Sequence, residues 1–167
     1  MYAYETKALP LKQRSSSRRR RLVVVDIENV NGGAVVNVGL ADVAWRVVAE
    51  AIDLTDDDLI VVGVGPSSLL AAGLSRPSAR RVMGRGLSGA DHALIAVLRD
   101  ERITERFDEV VIVSGDGIFA DIAAQLAFEG MDVTVVARDG HLSKRLRLAA
   151  GDVVLLPDHA PLHGKAA

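Results

Sequence analysis

Four short runs of valine, leucine and isoleucine, separated by stretches of helical periodicity, constrain this chain more than any other feature. They stand at 22–25, 59–64, 110–113 and 133–136. A strand that is apolar at consecutive positions, rather than at alternate ones, is covered on both faces. Both-face burial is the habit of parallel sheets, whose crossover helices lie above and below. Hydrophobic residues make up 49% of the chain and aromatics only 4%. The core is therefore built from valine, leucine, isoleucine and alanine, which suits such strands under Ala/Leu helices.

The pattern predicts strands at 22–26, 59–64, 79–83, 109–113, 132–137 and 153–156. Helices are expected at 39–54, from Gly65 to about Gly73, and at 90–102, 117–129 and 142–149. Gly130 supplies a C-terminal stop for the fourth. Regular alternation of strand and helix defines a doubly wound α/β domain. Residues 22–156 carry it, and 157–167 read as a flexible tail.

Residues 1–21 lack periodicity and read as a disordered basic arm. They hold seven Lys/Arg against one Glu, whereas the remainder is acidic. Such an arm, with Arg18, Arg19, Arg20 and Arg21 at its end, suits the backbone of a nucleic acid or is a solvated tail. The chain has no cysteine, which excludes disulfides, zinc–thiolate sites and a cysteine nucleophile. No apolar run approaches membrane-spanning length, and Asp26 stops the first run too early for a signal peptide. A soluble, cytoplasmic protein with no membrane partner is expected.

Three acids carry the functional signal. Asp26 ends the first run within Asp26-Ile27-Glu28-Asn29. Asp91 opens the third helix after Ser88-Gly89-Ala90. Asp116 follows the fourth strand in Ser114-Gly115-Asp116-Gly117. Each has a structural explanation of its own: a turn at Asp26, a Ser88–Asp91 capping box, and a helix cap at Asp116. Together they mean more, because residues past the carboxyl ends of parallel strands converge on one crevice. Carboxylates gathered there repel each other unless a hard cation such as Mg²⁺ holds them. Arg80, Arg81 and Arg85 precede the third helix, and Arg138, Lys144, Arg145 and Arg147 surround the fifth. Either group suits phosphate. Gly63-Val64-Gly65-Pro66 lacks the third glycine of a dinucleotide fingerprint, no Gly-Lys-Ser/Thr phosphate loop occurs, and the four histidines show no metal spacing.

These motifs resemble those of the NYN domain family, LabA-like members of the PIN-like ribonuclease superfamily. The likeness spans about 22–156. It rests on Val23-Val24-Val25-Asp26-Ile27-Glu28-Asn29, on Gly89-Ala90-Asp91, on Val113-Ser114-Gly115-Asp116-Gly117-Ile118-Phe119, and on Gly130-Met131-Asp132-Val133-Thr134-Val135. It implies a PIN-like three-layer sandwich with a mainly parallel central sheet and helices on both faces. It also implies metal-dependent RNA hydrolysis, with Mg²⁺ or Mn²⁺ held by Asp26, Asp91 and Asp116 and with Asn29 and Ser114 in support. One position departs. The family commonly has a second aspartate in the fourth-strand motif, and Ile118 stands there. Glu28 and Asp121 are the candidate substitutes. The rival readings are a catalytically weakened domain that binds RNA or a protein, and an α/β nucleotide-binding regulator. A homo-oligomer stays open.

Overall fold

The computed structural model describes residues 19–157. Six strands form one entirely parallel sheet: β1 (Arg21–Asp26), β2 (Leu59–Val64), β3 (Arg80–Met83), β4 (Glu109–Val113), β5 (Asp132–Arg138) and β6 (Asp152–Leu156), in the order β3-β2-β1-β4-β5-β6. The chain winds outward from β1 to β3, then returns to lay β4 on the other side of β1. The β1/β4 boundary is thus the topological switch point, where ligands bind in open α/β sheets.

Seven helices cover the sheet: α1 (Ile27–Asn31), α2 (Val38–Ile52), α3 (Leu69–Ser75), α4 (Gly89–Asp100), α5 (Ile103–Arg106), α6 (Ala120–Phe128) and α7 (Lys144–Ala149). Side chains alternate across the sheet. Val23 and Val25 pack with Trp45, Val48 and Ala72 beneath α1 to α3. Leu22 and Val24 pack with Leu94, Phe119, Leu126 and Leu146 beneath α4 to α7. Both faces of β1 are fully buried, as its unbroken apolar run requires.

Two short helices, α1 and α5, lie where the sequence pattern showed none. Asp26 caps α1 by accepting a hydrogen bond from the Asn29 N–H, and Gly32, at φ +78°, ends it. The predicted fourth helix begins as one 3-10 turn, Gly117–Phe119, before α6. The capping box expected at Ser88 does not form. Ser88 sits in the left-handed region at φ 54° and its side chain makes no cap bond. Among the described residues no helix is long and apolar enough to cross a membrane.

Candidate functional site

A cleft of about 350 Å³ opens at the carboxyl edge of the sheet, and Asp26, Asp91 and Asp116 all line it. Three different elements deliver them. β1 ends on Asp26, the first turn of α4 carries Asp91, and the turn after β4 carries Asp116. Register makes this inevitable: Val25 pairs with Val113, so the residues following each strand are neighbours across the switch point.

The surrounding bonds fix the carboxylates without consuming them. Asp26 Oδ1 accepts from the Asn29 N–H at 3.2 Å, and the Ser114 hydroxyl donates to Asp26 Oδ2 at 3.3 Å. Asn29 Oδ1 in turn accepts the Gly115 N–H at 3.0 Å, tying the β1 turn to the β4 turn. Asp116 caps the 3-10 turn through Oδ1, which accepts from the Ile118 N–H at 2.9 Å. Its other oxygen makes no hydrogen bond among the described residues. Cap and site thus coincide at Asp26 and Asp116: each organises the turn after its strand and lines the cleft.

Asp26 is 6% exposed and Asp91 8%. Their carboxyl groups hydrogen-bond each other. Burial, followed by the Asp91 charge and that hydrogen bond, pushes Asp26 up to about 7. Burial first, then the charge of Asp116, also raises Asp91, against the hydrogen bonds from Asp26 and Ser88. One proton between the two carboxyls relieves this repulsion. At neutral pH this is a site that takes either a proton or a cation.

A pH dependence of folding follows. A carboxyl raised in the folded state binds more protons there than in the unfolded chain between about pH 4 and 7. Its contribution to stability is present at low pH and is lost as pH rises through the folded value. The paired acids Asp58 and Glu101 are lowered by Arg21 and Arg80 and act in the opposite sense, below that window. In EDTA the protein is expected to be a few kcal/mol more stable at pH 5 than at pH 8, measured by urea unfolding. A flat profile across this range would remove the shared proton.

The donor set suits a hard cation. It consists of oxygens only, two of them on a buried pair that cannot both ionise unaided. Among the described residues no three His, Cys, Asp or Glu side chains stand close enough to enclose an ion by themselves. Mg²⁺ keeps several waters and needs only one or two carboxylates, so Asp26 and Asp91 with Asp116 nearby satisfy its chemistry.

The other residues singled out from the sequence are placed as follows. Glu28 lines the cleft, but its Oε1 accepts from the Gly65 N–H at 3.0 Å and the Ser68 hydroxyl at 2.6 Å. Its role is to hold the β2–α3 turn. Asp121 does not line the cleft; it lies exposed on α6, bonded to Arg145 at 2.8 Å. Ile118 is half-buried and packs against the core rather than beside the carboxylates. An Ile118→Asp variant should therefore lose about 1–3 kcal/mol of stability and gain no cation affinity, read by thermal melting and cation titration. Tighter cation binding by a folded variant would refute this placement.

Arg18 lies outside the described residues. Arg19, Arg20 and Arg21 bind Asp132, Asp108 and Asp58 at the amino-terminal ends of the strands. Five residue steps of β1 put Arg21 about 16 Å from Asp26 along the strand, on the opposite edge of the sheet. Arg21 is itself the first residue of β1 and not part of an arm. Arg80 is held by both oxygens of Glu101. Arg85 sits between Gly84 and Gly86, which line the cleft, and among the described residues it has no ion-pair partner.

The shaping of the cleft by glycine was not legible beforehand. A Cβ on Gly84 would lie 1.8 Å from the Gly89 carbonyl oxygen, and one on Gly115 would lie 2.1 Å from that of His141. Glycines at 84, 86 and 89 are compatible with any loop, and nothing in their spacing signals this backbone contact.

An acid-lined cleft thus lies at the switch point of a parallel sheet. Residues 69–156 match the sequence model of the NYN domain, so the chain belongs to the NYN domain family, within the PIN-like nuclease superfamily. The matched segment includes Asp91 and Asp116; β1, with Asp26, lies before it. A solved structure from Vibrio parahaemolyticus, titled a protein of unknown function, shares the fold with a TM-score of 0.58 at 18% identity, over 87% of this chain and 97% of that one. No curated protein matches the sequence. Nucleases of this superfamily generally depend on divalent metals.

Proposed function

We propose that this domain hydrolyses RNA phosphodiester bonds with Mg²⁺ or Mn²⁺ held at Asp26, Asp91 and Asp116. The observation that carries the reading is the convergence of Asp26, Asp91 and Asp116 on one cleft at the switch point, with Asp26 and Asp91 buried. When bound, such a cation supplies Lewis acidity toward a phosphoryl oxygen and toward water.

The residues of the chain do the rest. Ser114 and the Asn29 N–H hold Asp26 in one rotamer, so its oxygen is presented without reorganisation. Asn29 locks the two turns together through the Gly115 N–H. Asp26 would hold a cation only without its proton, so occupancy would tighten as pH rises. Asp116, exposed and with a free oxygen, is placed to accept a proton from an attacking water. Arg85 at the rim offers a charge to a backbone phosphate.

The β1 turn also speaks against the nucleotide-binding rival. Folds with this strand order place a glycine-rich cradle for pyrophosphate at that turn. Here Asp26 and Glu28 occupy it, and unneutralised carboxylates repel phosphate. The test is a Mg²⁺ and Mn²⁺ titration on single-stranded and structured RNA, with EDTA as control and Asp116→Asn alongside. Cleavage that needs the cation and is lost in Asp116→Asn is expected. Cation-independent cleavage removes the metal from the reading, and no cleavage with either ion removes hydrolysis and leaves an RNA- or protein-binding domain.

A further inference from the structure

The cleft does not end at its carboxylates. Pro66 forms part of its wall and also part of a second concavity, an apolar groove of about 550 Å³ between α3 and the edge strand β3. Leu69, Leu70, Gly73, Leu74, Pro77 and Arg81 complete that groove. Leu70 is 73% exposed and Leu74 61%, an expense of apolar surface on a chain that buries its other α3 residues Ala71 and Ala72. Arg81 distinguishes it from a plain hydrophobic patch. Its stem lies over Gly73, where a Cβ would sit 3.2 Å from Arg81 Cδ and 3.4 Å from Nη1. The guanidinium thus lies against the α3 wall. Nearby Arg80 is neutralised by Glu101, but among the described residues Arg81 has no ion-pair partner. Leu87 stands almost fully exposed in the loop that carries Arg85 at the cleft rim.

An unneutralised, planar cation beside an apolar trough matches the two halves of a nucleotide: phosphate, and a base with two apolar faces. Because it adjoins the carboxylate cleft at Pro66, we propose that this groove seats an unpaired base of the RNA strand next to the phosphate in the cleft, with Arg81 on the adjoining backbone. Duplex RNA keeps its bases stacked inside and cannot offer one, so the substrate is single-stranded at this position. The proposal rests on the cleft being an RNA site, not on hydrolysis.

Full-length protein is irradiated with a single-stranded RNA carrying 4-thiouridine, in Mg²⁺ and in EDTA, and cross-linked peptides are mapped. Cross-links are expected within 66–81 for the single strand and not for the same RNA annealed to its complement. Leu70→Asp and Leu74→Asp, both at exposed positions, should weaken single-strand binding about tenfold with duplex binding unchanged. Leu74→Gln serves if either lowers the melting temperature. Arg81→Gln should reduce the salt slope by about 0.7. Cross-links in the groove without cleavage uphold the proposal and remove hydrolysis. Cleavage with no groove cross-link and unaltered variants overturns it and leaves hydrolysis standing. Variants that change sedimentation but not RNA binding also overturn it and make the groove a protein-docking face.

Discussion

With asparagine in place of Asp26, cation-dependent cleavage is expected to fall more than about 100-fold, beyond what loss of an outer-shell partner costs, while the cation-free protein becomes more stable at pH 8. The two effects have one cause. Asp26 is buried against Asp91, and at pH 8 both charges must be borne in a site where burial and mutual repulsion already oppose them. A neutral amide of the same shape keeps acceptance from the Asn29 N–H at its single oxygen, puts an NH₂ where Oδ2 accepted from the Ser114 hydroxyl, and removes the repulsion. Its NH₂ group donates to Asp91 much as the protonated acid did. The gain should reach a few kcal/mol at pH 8 and vanish near pH 5, where wild-type Asp26 holds its proton. Adding Mg²⁺ should reverse the order, because only the wild-type pair gains cation binding energy. Urea unfolding at both pH values, with and without Mg²⁺, reads all four quantities. Equal stability of variant and wild type at pH 8 in EDTA would mean that the pair is not charge-strained.

Local patterning announced the strands and remote contacts decided the site. Unbroken valine runs gave β2 and β4 at their observed bounds, because a strand buried on both faces leaves no polar position to mistake for a turn. α1 escaped because five residues cannot display a helical period, and Asp26 and Asn29 bond within it as turn residues do. Asp26, Asp91 and Asp116 could be grouped from topology alone, since a parallel sheet sends every strand end to one edge. What Glu28 and Asp121 do could not. Their partners, Ser68 and Arg145, lie 40 and 24 positions away. The same holds for the basic stretch Arg19–Arg21. Charge counting read it as an arm for RNA, but Asp58, Asp108 and Asp132 come from three other strand starts to neutralise it.

Glycine at 84 is expected to be as indispensable as the acids, for a reason that no charge argument reveals. The backbone leaves β3, donates the Gly84 N–H to the Val64 carbonyl, and passes directly over the start of α4. At that crossing a Cβ would overlap the Gly89 carbonyl carbon at 1.9 Å and its oxygen at 1.8 Å. Backbone cannot swing aside as a side chain can, so Gly84→Ala must displace α4 itself, and Asp91 with it. The expected cost is about 3 kcal/mol or more, the upper range for overpacking, or roughly 10 °C in Tm. Gly86 provides the control two residues on. It has φ +76° and open space around its Cβ position, so Gly86→Ala pays only the left-handed backbone cost of about 1–2 kcal/mol. Cation affinity separates the two further. Gly84→Ala, in whatever fraction stays folded, should bind Mg²⁺ more weakly because Asp91 moves away from Asp26, whereas Gly86→Ala should bind it unchanged. A Gly84→Ala protein that melts with wild type and titrates with Mg²⁺ normally would show that the β3–α4 crossing is looser than the carboxylate pair requires.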